Sequence, residues 1–119
     1  MHLTEMRFDG PTPIDGYGPG FFRVAGQVWS GPVLVFAEGV SNWGGLGDWD
    51  PALALRGRID VLFVGMGAEV AHLPPADRAL LEAAGFGVEV MASPAACRTF
   101  NVLLSEGRRV AVALLPLAG

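Results

Sequence analysis

The chain has little cysteine, little positive charge and no long apolar run. Its one cysteine, Cys97, excludes an internal disulfide and any zinc site built from several cysteines. All eight basic residues are arginine, and twelve acidic residues bring the formal net charge to −4. Contact with a nucleic-acid backbone, or with an anionic membrane surface, needs several clustered cations. We therefore expect no nucleic-acid partner and no polybasic membrane contact.

The sequence also lacks the usual membrane and targeting signals. No apolar stretch approaches the roughly 20 residues that a transmembrane helix needs. Residues 1–10 have no continuous apolar core of the kind that marks a signal peptide. We therefore expect a soluble, cytoplasmic protein without a transmembrane segment. Apolar residues make up 51% and charged residues 17% of the 119, the opposite of a disordered composition, which predicts one packed domain over residues 1–119.

The first part of the chain, residues 1–52, is rich in glycine and proline and carries short apolar runs. This composition predicts a β-rich layer of strands joined by turns, with strands at 21–24, 27–29 and 33–37. Ala25 and Gly26 suit a tight hairpin between the first two strands. Residues 10–20 are too dense in chain breakers to stay regular for long. Residues 40–51 are predicted to be a glycine-rich connection.

Two tryptophans, Trp43 and Trp49, lie on that connection. If they are exposed, they mark a binding surface for a protein partner or for a second copy of the chain in a homodimer. If they fold back, they cover one end of the core. We favour the second interpretation, because an exposed pair would cost solubility.

The second part of the chain, residues 59–119, alternates strands with helices. The predicted elements, in order, are a strand at 59–65, a helix at 75–84, a strand at 88–91, a helix at 94–105 and a strand at 110–115. Pro75 and Gly85 suit the start and stop of the first helix, and Ser93 is the predicted N-cap of the second. The last strand is nearly all apolar, so we place it centrally in a sheet that is covered on both faces.

These elements together predict an α/β fold class. We expect a single three-layer domain with a mixed β-sheet, two main helices in the β-α-β-α-β C-terminal half, and an N-terminal β-hairpin layer. The N-terminal strands are expected to extend the sheet as well as to form that layer.

Gly65 and Gly67 follow the first parallel strand directly, in the sequence VGMGAE. A Gly-x-Gly at this place lets backbone amides approach an anion. The dinucleotide fingerprint also needs a third glycine and a helix that begins at once, and here Pro74 and Pro75 delay the helix. We therefore expect a tight turn, or a turn that holds a small anion or polar group, and no cofactor.

The helix at 94–105 carries the other candidate groups. Cys97 shares an apolar face with Ala96, Phe100, Leu103 and Leu104, which predicts a core cysteine. A nucleophilic thiol would need a base, and His72 is the histidine whose position allows one. For metal binding, Asp48 and Asp50 lack the further ligands of a calcium loop, so no metal is expected.

Arg98 and Asn101 lie one turn apart on the other side of the same helix, near its N-terminus. They suit binding of an anion, because the helix dipole and an arginine both favour negative charge there. The alternative, which we favour, is that Arg98 pairs with a local carboxylate and Asn101 bonds to nearby backbone. The candidate binding residues are thus Gly65, Gly67, Arg98 and Asn101, with no catalytic or metal-binding residue.

Three blocks of the sequence carry a family resemblance: IDGYGPGFFRVAGQVWSGPVLV, VLFVGMG and AACRTFNVLLSEGRRVAVALLP. They resemble a family of small uncharacterised domains whose eukaryotic members include mitochondrial complex I assembly factor three and an adipogenesis-associated protein. The most specific parts are residues 98–103 and the turn at Tyr17 and Gly18. The resemblance implies a three-layer domain of unknown activity, without established catalytic residues, that serves as an accessory in the assembly of a membrane complex. None of the three blocks includes the glycine- and tryptophan-rich connection at 40–51, so the resemblance implies nothing about that connection.

Two functions follow. We favour a non-enzymatic interaction or assembly-accessory domain with a protein partner. The alternative is a small-anion or enzymatic site at the C-terminal edge of the strands, near Gly65, Gly67 and Arg98. It requires that Arg98 and the glycine turn line one pocket.

Overall fold

Strands fill the first half of the chain and alternate with helices in the second half. The computed structural model describes residues 5–7 and 11–118. Most of residues 1–10, where the sequence shows no signal-peptide core, therefore lies outside the described residues. The strands are β1 (Glu5–Arg7), β2 (Ile14–Gly18), β3 (Phe21–Val24), β4 (Gln27–Ser30), β5 (Val33–Phe36), β6 (Gly39–Asn42), β7 (Val61–Met66), β8 (Gly87–Met91) and β9 (Val110–Leu115). The helices are α1 (Asp50–Leu53), α2 (Pro75–Ala83) and α3 (Ser93–Ser105).

The larger sheet has the strand order β1-β6-β5-β9-β7-β8. β7 runs parallel to both β8 and β9, whereas β5 runs antiparallel to β9 and to β6. The sheet is therefore mixed, as predicted. β9 lies inside it between β5 and β7, and its first five residues are buried. The predicted central position of the last strand is confirmed.

Alternate residues of the central strands point to opposite faces of this sheet, and each face has its own core. One face packs against α3 and the smaller sheet, through a cluster that includes Val35, Phe63 and Val112. The other face packs against α1, α2 and the chain around them, through a cluster that includes Leu34, Val64 and Ala113. The predicted three-layer α/β fold class is confirmed.

The smaller sheet has the order β2-β3-β4. The β3–β4 hairpin turns at Ala25 and Gly26, with φ values of 49° and 83°, which matches the turn that follows the twist of a hairpin. Residues 10–20 do not stay regular for long, as expected, but they include β2, a strand of five residues that was not among the predicted strands. Pro13 and Pro19 flank this strand instead of interrupting it, so neither removes a hydrogen bond from its ladder.

Two other local predictions also need correction. Residues 40–51 are not one loop, because β6 occupies the first part and α1 begins at the end, with Pro51 in its first turn. Ser93 is not an N-cap, because it is itself the first residue of α3 and Ala92 stands at the cap position without a side-chain cap. The hydroxyl of Ser93 is engaged elsewhere, at the edge of the sheet.

Candidate functional site

The C-terminal edge of the parallel strands is organised around Ser93. The amide of Gly67 donates to Ser93 Oγ at 2.9 Å, and Ser93 Oγ donates to the carbonyl of Leu115 at 2.6 Å. The amide of Ser93 also donates to the Gly67 carbonyl at 2.7 Å. The turn after β7 therefore holds a polar group, as the sequence allowed, and that group is the hydroxyl of Ser93.

Gly65 allows Ser93 to approach the sheet this closely. A Cβ at position 65 would lie 2.8 Å from both Ser93 Oγ and Leu114 Cδ2, and 2.9 Å from Ser93 Cα. Distances this short require one of the neighbours to move. Gly67 has a different role: its φ of 94° makes the turn that directs its amide to Ser93. Both glycines thus anchor the start of α3 to the sheet.

Asn101 binds backbone, on the smaller sheet. Its Nδ2 donates to the carbonyl of Ile14 at 2.8 Å, and its Oδ1 accepts from the Ile14 amide at 2.9 Å. Ile14 is buried, so this pair satisfies two backbone groups at the start of β2 that would otherwise lack partners. The carboxamide of Asn101 ties α3 to the smaller sheet.

Arg98 lies on the exposed side of α3. It lines a shallow groove of about 260 Å³ together with Thr99, Val102 and Leu103, all from the same helix. Val102 is 55% exposed. Within the described ranges, no hydrogen bond or ion pair joins Arg98 to a carboxylate or to the turn at Gly67. The structure brings Gly65 and Gly67 together at Ser93, and it places Arg98 and Asn101 elsewhere on the helix.

Cys97 is buried in the core between α3 and the sheet, where the sequence placed it. Burial raises the pKa of its thiol from 9.0 to about 12, although the charge of Arg98 and a backbone hydrogen bond act in the opposite direction. A thiol with so high a pKa stays protonated at neutral pH and is a poor nucleophile. His72, the base considered with it, lies exposed in the connection after β7.

Trp43 and Trp49 fold back onto the core, as favoured from the sequence. Each is 2% exposed, and their ring centroids lie 5.1 Å apart with the planes tilted by 41°. The indole N–H of Trp43 donates to the Asp48 carbonyl at 2.6 Å. Both indole rings are buried against the core, so they do not form an exposed aromatic patch.

A cleft that the sequence analysis missed opens at the opposite edge of the sheet. The register pairs Val61 with Val110, so β7 and β9 both begin there, and antiparallel pairing brings the end of β5 to the same edge. The cleft has a volume of about 270 Å³. Its walls come from residue 11, the end of β5 and the two residues after it, residues 55–59, and the chain from the end of α3 to the start of β9. The lining residues are Pro11, Phe36, Ala37, Glu38, Leu55, Arg58, Ile59, Leu104, Gly107, Arg108, Arg109 and Val110.

Among the described residues, three arginines line this cleft, and two of them are held by carboxylates. Arg58 donates to Glu38 Oε2 at 2.8 Å, and its Cζ lies 5.9 Å from the centroid of the Phe36 ring. Arg109 donates from Nη2 to Asp60 Oδ1 at 3.0 Å and from Nε to Oδ2 at 3.3 Å. A sequence signal for this edge existed, because Asp60 and the Arg108-Arg109 pair both directly precede parallel strands. The amino ends of such strands meet at one edge.

The structure shows neither a metal cluster nor a membrane-spanning helix in the part of the chain that it describes. Across residues 5–7 and 11–118, no group of three His, Cys, Asp or Glu side chains is arranged to hold a metal ion. Among the helices in that part of the chain, none is both long and apolar enough to cross a bilayer.

Comparison with known proteins places the chain among relatives. It is 52% identical over 119 residues to an uncharacterised protein of Rhodobacter capsulatus, covering 100% of this chain and 96% of that protein. It is 31% identical over 126 residues to the mouse protein named NADH dehydrogenase [ubiquinone] 1 alpha subcomplex assembly factor 3, covering 100% of this chain and 68% of the mouse protein.

A solved structure also matches the fold. The crystal structure described as an outer membrane protein from Bartonella henselae superposes with a TM-score of 0.83 at 35% identity, covering 92% of this chain and 98% of that one. The family model described as "Protein of unknown function (DUF498/DUF598)" matches residues 14–115. This match takes in β2 through β9 and all three helices, and the chain belongs to that family of unknown function.

Proposed function

We propose that this chain is a non-enzymatic accessory that binds a protein partner during assembly of a membrane-bound respiratory complex, the NADH dehydrogenase. The observation that carries the proposal is the alignment with the mouse assembly factor, which extends over 100% of this chain. An alignment of this length takes in both sheets and all three helices, so the shared part is the whole fold and not one motif.

The internal contacts support a binding role over a catalytic one. Asn101 is bonded to Ile14, and Gly67 is bonded to Ser93, so two of the candidate ligand groups already serve the fold. The thiol of Cys97 is buried and its pKa is raised to about 12. The Gly67 amide and the Asn101 carboxamide are therefore engaged in contacts within the fold, and the thiol of Cys97 belongs to the core.

The proposal includes a cytoplasmic location, which differs from the outer-membrane description of the Bartonella protein. Fractionation of cells that carry a tagged chain should place it with the cytoplasmic proteins or on the inner face of the cytoplasmic membrane. Recovery in the outer membrane would contradict this part of the proposal.

The main test is deletion of the gene from the organism that carries it. We expect membranes of the deletion strain to contain less fully assembled NADH dehydrogenase on native gels, together with partial assemblies. Succinate dehydrogenase activity in the same membranes is the control and should be unchanged. Normal amounts of assembled NADH dehydrogenase would overturn the proposal.

A variant separates an accessory from a thiol enzyme. Cys97→Ala removes the one thiol of the chain. If it folds, it should restore assembly as well as the wild-type chain does, since the buried thiol has no chemical step to perform. A folded Cys97→Ala protein that fails to restore assembly would contradict the non-enzymatic part of the proposal.

A further inference from the structure

We infer that the cleft at the amino ends of β7 and β9 binds an acidic segment of a partner protein. A large apolar side chain of that segment lies on the floor of the cleft, and neighbouring carboxylates pair with Arg108 and Arg58. This inference rests on the proposed function, because it names the chemistry of the partner and the surface that receives it.

The floor of the cleft suits one apolar side chain. Phe36, Leu55, Ile59 and Leu104 contribute apolar surface from three different parts of the fold. The volume of about 270 Å³ lies just below the range of about 300–1,000 Å³ usual for pockets that enclose a whole small molecule. A cleft of this size therefore accommodates an anchoring side chain of a peptide better than a complete cofactor.

The rim of the cleft presents guanidinium groups that are already oriented. Arg58 is held by Glu38, and Arg109 is held by Asp60 through two hydrogen bonds. The side chains of Arg58 and Arg109 still expose 42% and 54% of their surface. A guanidinium has five N–H donors, so Arg58 and Arg109 can each donate to a further carboxylate without breaking their present pairs. Binding then costs little side-chain ordering.

Arg108 supplies a further positive charge at the rim of the cleft. Its backbone is fixed by a 3.0 Å hydrogen bond from its amide to the Leu103 carbonyl, just after the turn at Gly107. Among the residues that the structure describes, no carboxylate pairs with its side chain. The three arginines and the two carboxylates that hold them sum to +1, whereas the whole chain has a net charge of −4. An acidic segment is attracted to this edge and repelled by the rest of the molecule.

Carboxylate suits this rim better than a nucleic-acid backbone. Three arginines are too few for the run of phosphate contacts that a nucleic acid makes. Paired N–H groups of arginine match the two oxygens of a carboxylate, and they gain strength beside an apolar floor that excludes water. The partner is therefore a protein segment with an aromatic or large aliphatic residue next to Asp or Glu.

The test uses the full chain and two matched peptides, followed by amide chemical shifts in NMR spectra. The acidic probe is acetyl-Gly-Glu-Phe-Glu-Gly-amide, and the neutral probe has Gln in place of both Glu residues. We expect the acidic peptide to shift the amides of Ala37, Arg58 and Val110. We expect the neutral peptide to bind about tenfold more weakly, since it loses the charge pairing. Equal binding of the two peptides, or shifts confined to another surface, would overturn the inference.

Variants locate the charge that matters. Arg108→Gln should weaken binding of the acidic peptide about tenfold. It should leave the midpoint of thermal unfolding unchanged, because the Arg108 side chain is exposed. Arg23→Gln is the matched control, since Arg23 is an exposed arginine on β3 in the smaller sheet, and it should bind as the wild type does. An Arg108→Gln protein that binds like the wild type would contradict the inference. Binding of phenylacetate to the cleft with the same affinity as the acidic peptide would also contradict the inference. In that case the ligand would be a small organic acid and not a protein segment.

The two proposals fail in different ways. Normal NADH dehydrogenase assembly in the deletion strain overturns the proposed function. Impaired assembly in that strain, combined with no peptide binding at the cleft, leaves the proposed function standing and overturns this inference alone. If both hold, a gene encoding Arg108→Gln should restore assembly less well than one encoding Arg23→Gln.

Discussion

The side chain of Asn101 pairs with both backbone groups of Ile14, donating at 2.8 Å and accepting at 2.9 Å across 87 residues of sequence. The pair imitates one rung of a β-ladder between a helix and a strand. It joins α3 to the smaller sheet at the point where β2 begins, close to the buried side chains of Ile14 and Phe100. Asn101 therefore contributes to the contact between layers.

Replacing Asn101 should destabilise the protein. Asn101→Ala leaves the amide and the carbonyl of Ile14 without partners, and we expect a loss of about 2 kcal/mol in the free energy of unfolding, measured in urea. Ser105→Ala, at an exposed position of the same helix, is the control and should change that free energy by less than about 0.5 kcal/mol. Equal effects of the two substitutions would show that the Ile14 pair adds nothing.

Adding a methyl group at Gly65 should be costly. Gly65→Ala puts a Cβ within 2.8–2.9 Å of Ser93 and Leu114, and we expect it to destabilise the protein by about 2 to 3 kcal/mol in urea unfolding. Gly16→Ala is the matched control, because a Cβ there meets nothing within 4 Å. Equal stability of Gly65→Ala and Gly16→Ala would contradict the close contact between Ser93 and the sheet at position 65.

The thiol of Cys97 should make stability fall at high pH. Burial raises the pKa of the folded thiol to about 12, whereas in the unfolded chain it titrates near its ordinary value of 9.0. Below pH 9 both states hold the proton, so this contribution to stability is fully present. Between pH 9 and 12 only the unfolded chain loses the proton, and stability falls by about 1.4 kcal/mol for each pH unit.

Cys97→Ala isolates this effect, because it has no thiol to titrate. The difference in unfolding free energy between wild type and variant should be constant below pH 9 and should shift in favour of the variant above it. The native thiol should also react with Ellman's reagent at pH 8 only as fast as the protein unfolds. Rapid labelling of the folded protein would contradict the burial of Cys97.

The two tryptophans should respond unequally to the same substitution. The indole N–H of Trp43 donates to the Asp48 carbonyl, whereas the buried indole N–H of Trp49 has no partner among the described residues. Trp43→Phe therefore loses a hydrogen bond that Trp49→Phe does not. We expect Trp43→Phe to cost about 1 kcal/mol more in thermal or urea unfolding. The reverse order would contradict the hydrogen-bond assignment.

The local sequence pattern predicted strands and helices correctly where neighbouring residues determine the backbone conformation. The strands predicted at 21–24 and 110–115 have those bounds in the structure, and the helix predicted at 75–84 ends one residue earlier. Apolar runs, Pro75 and the turn at Ala25 and Gly26 carry that information within a few residues. The β2 strand was missed because its partner β3, and not its own composition, keeps it extended.

The sequence by itself determined the layered α/β fold, the central place of the last strand and the burial of Cys97, because hydrophobic periodicity and glycine–proline punctuation report directly on burial and turns. Only the tertiary structure decided which partners the polar groups contact. Ser93 is not a cap because Gly67 and Leu115 meet it at the edge of the sheet, and Asn101 is engaged because Ile14 lies beside it. The arginine cleft forms because strands far apart in sequence begin and end at one edge. Such contacts join residues 22 to 87 positions apart, and no local pattern records which of them will meet.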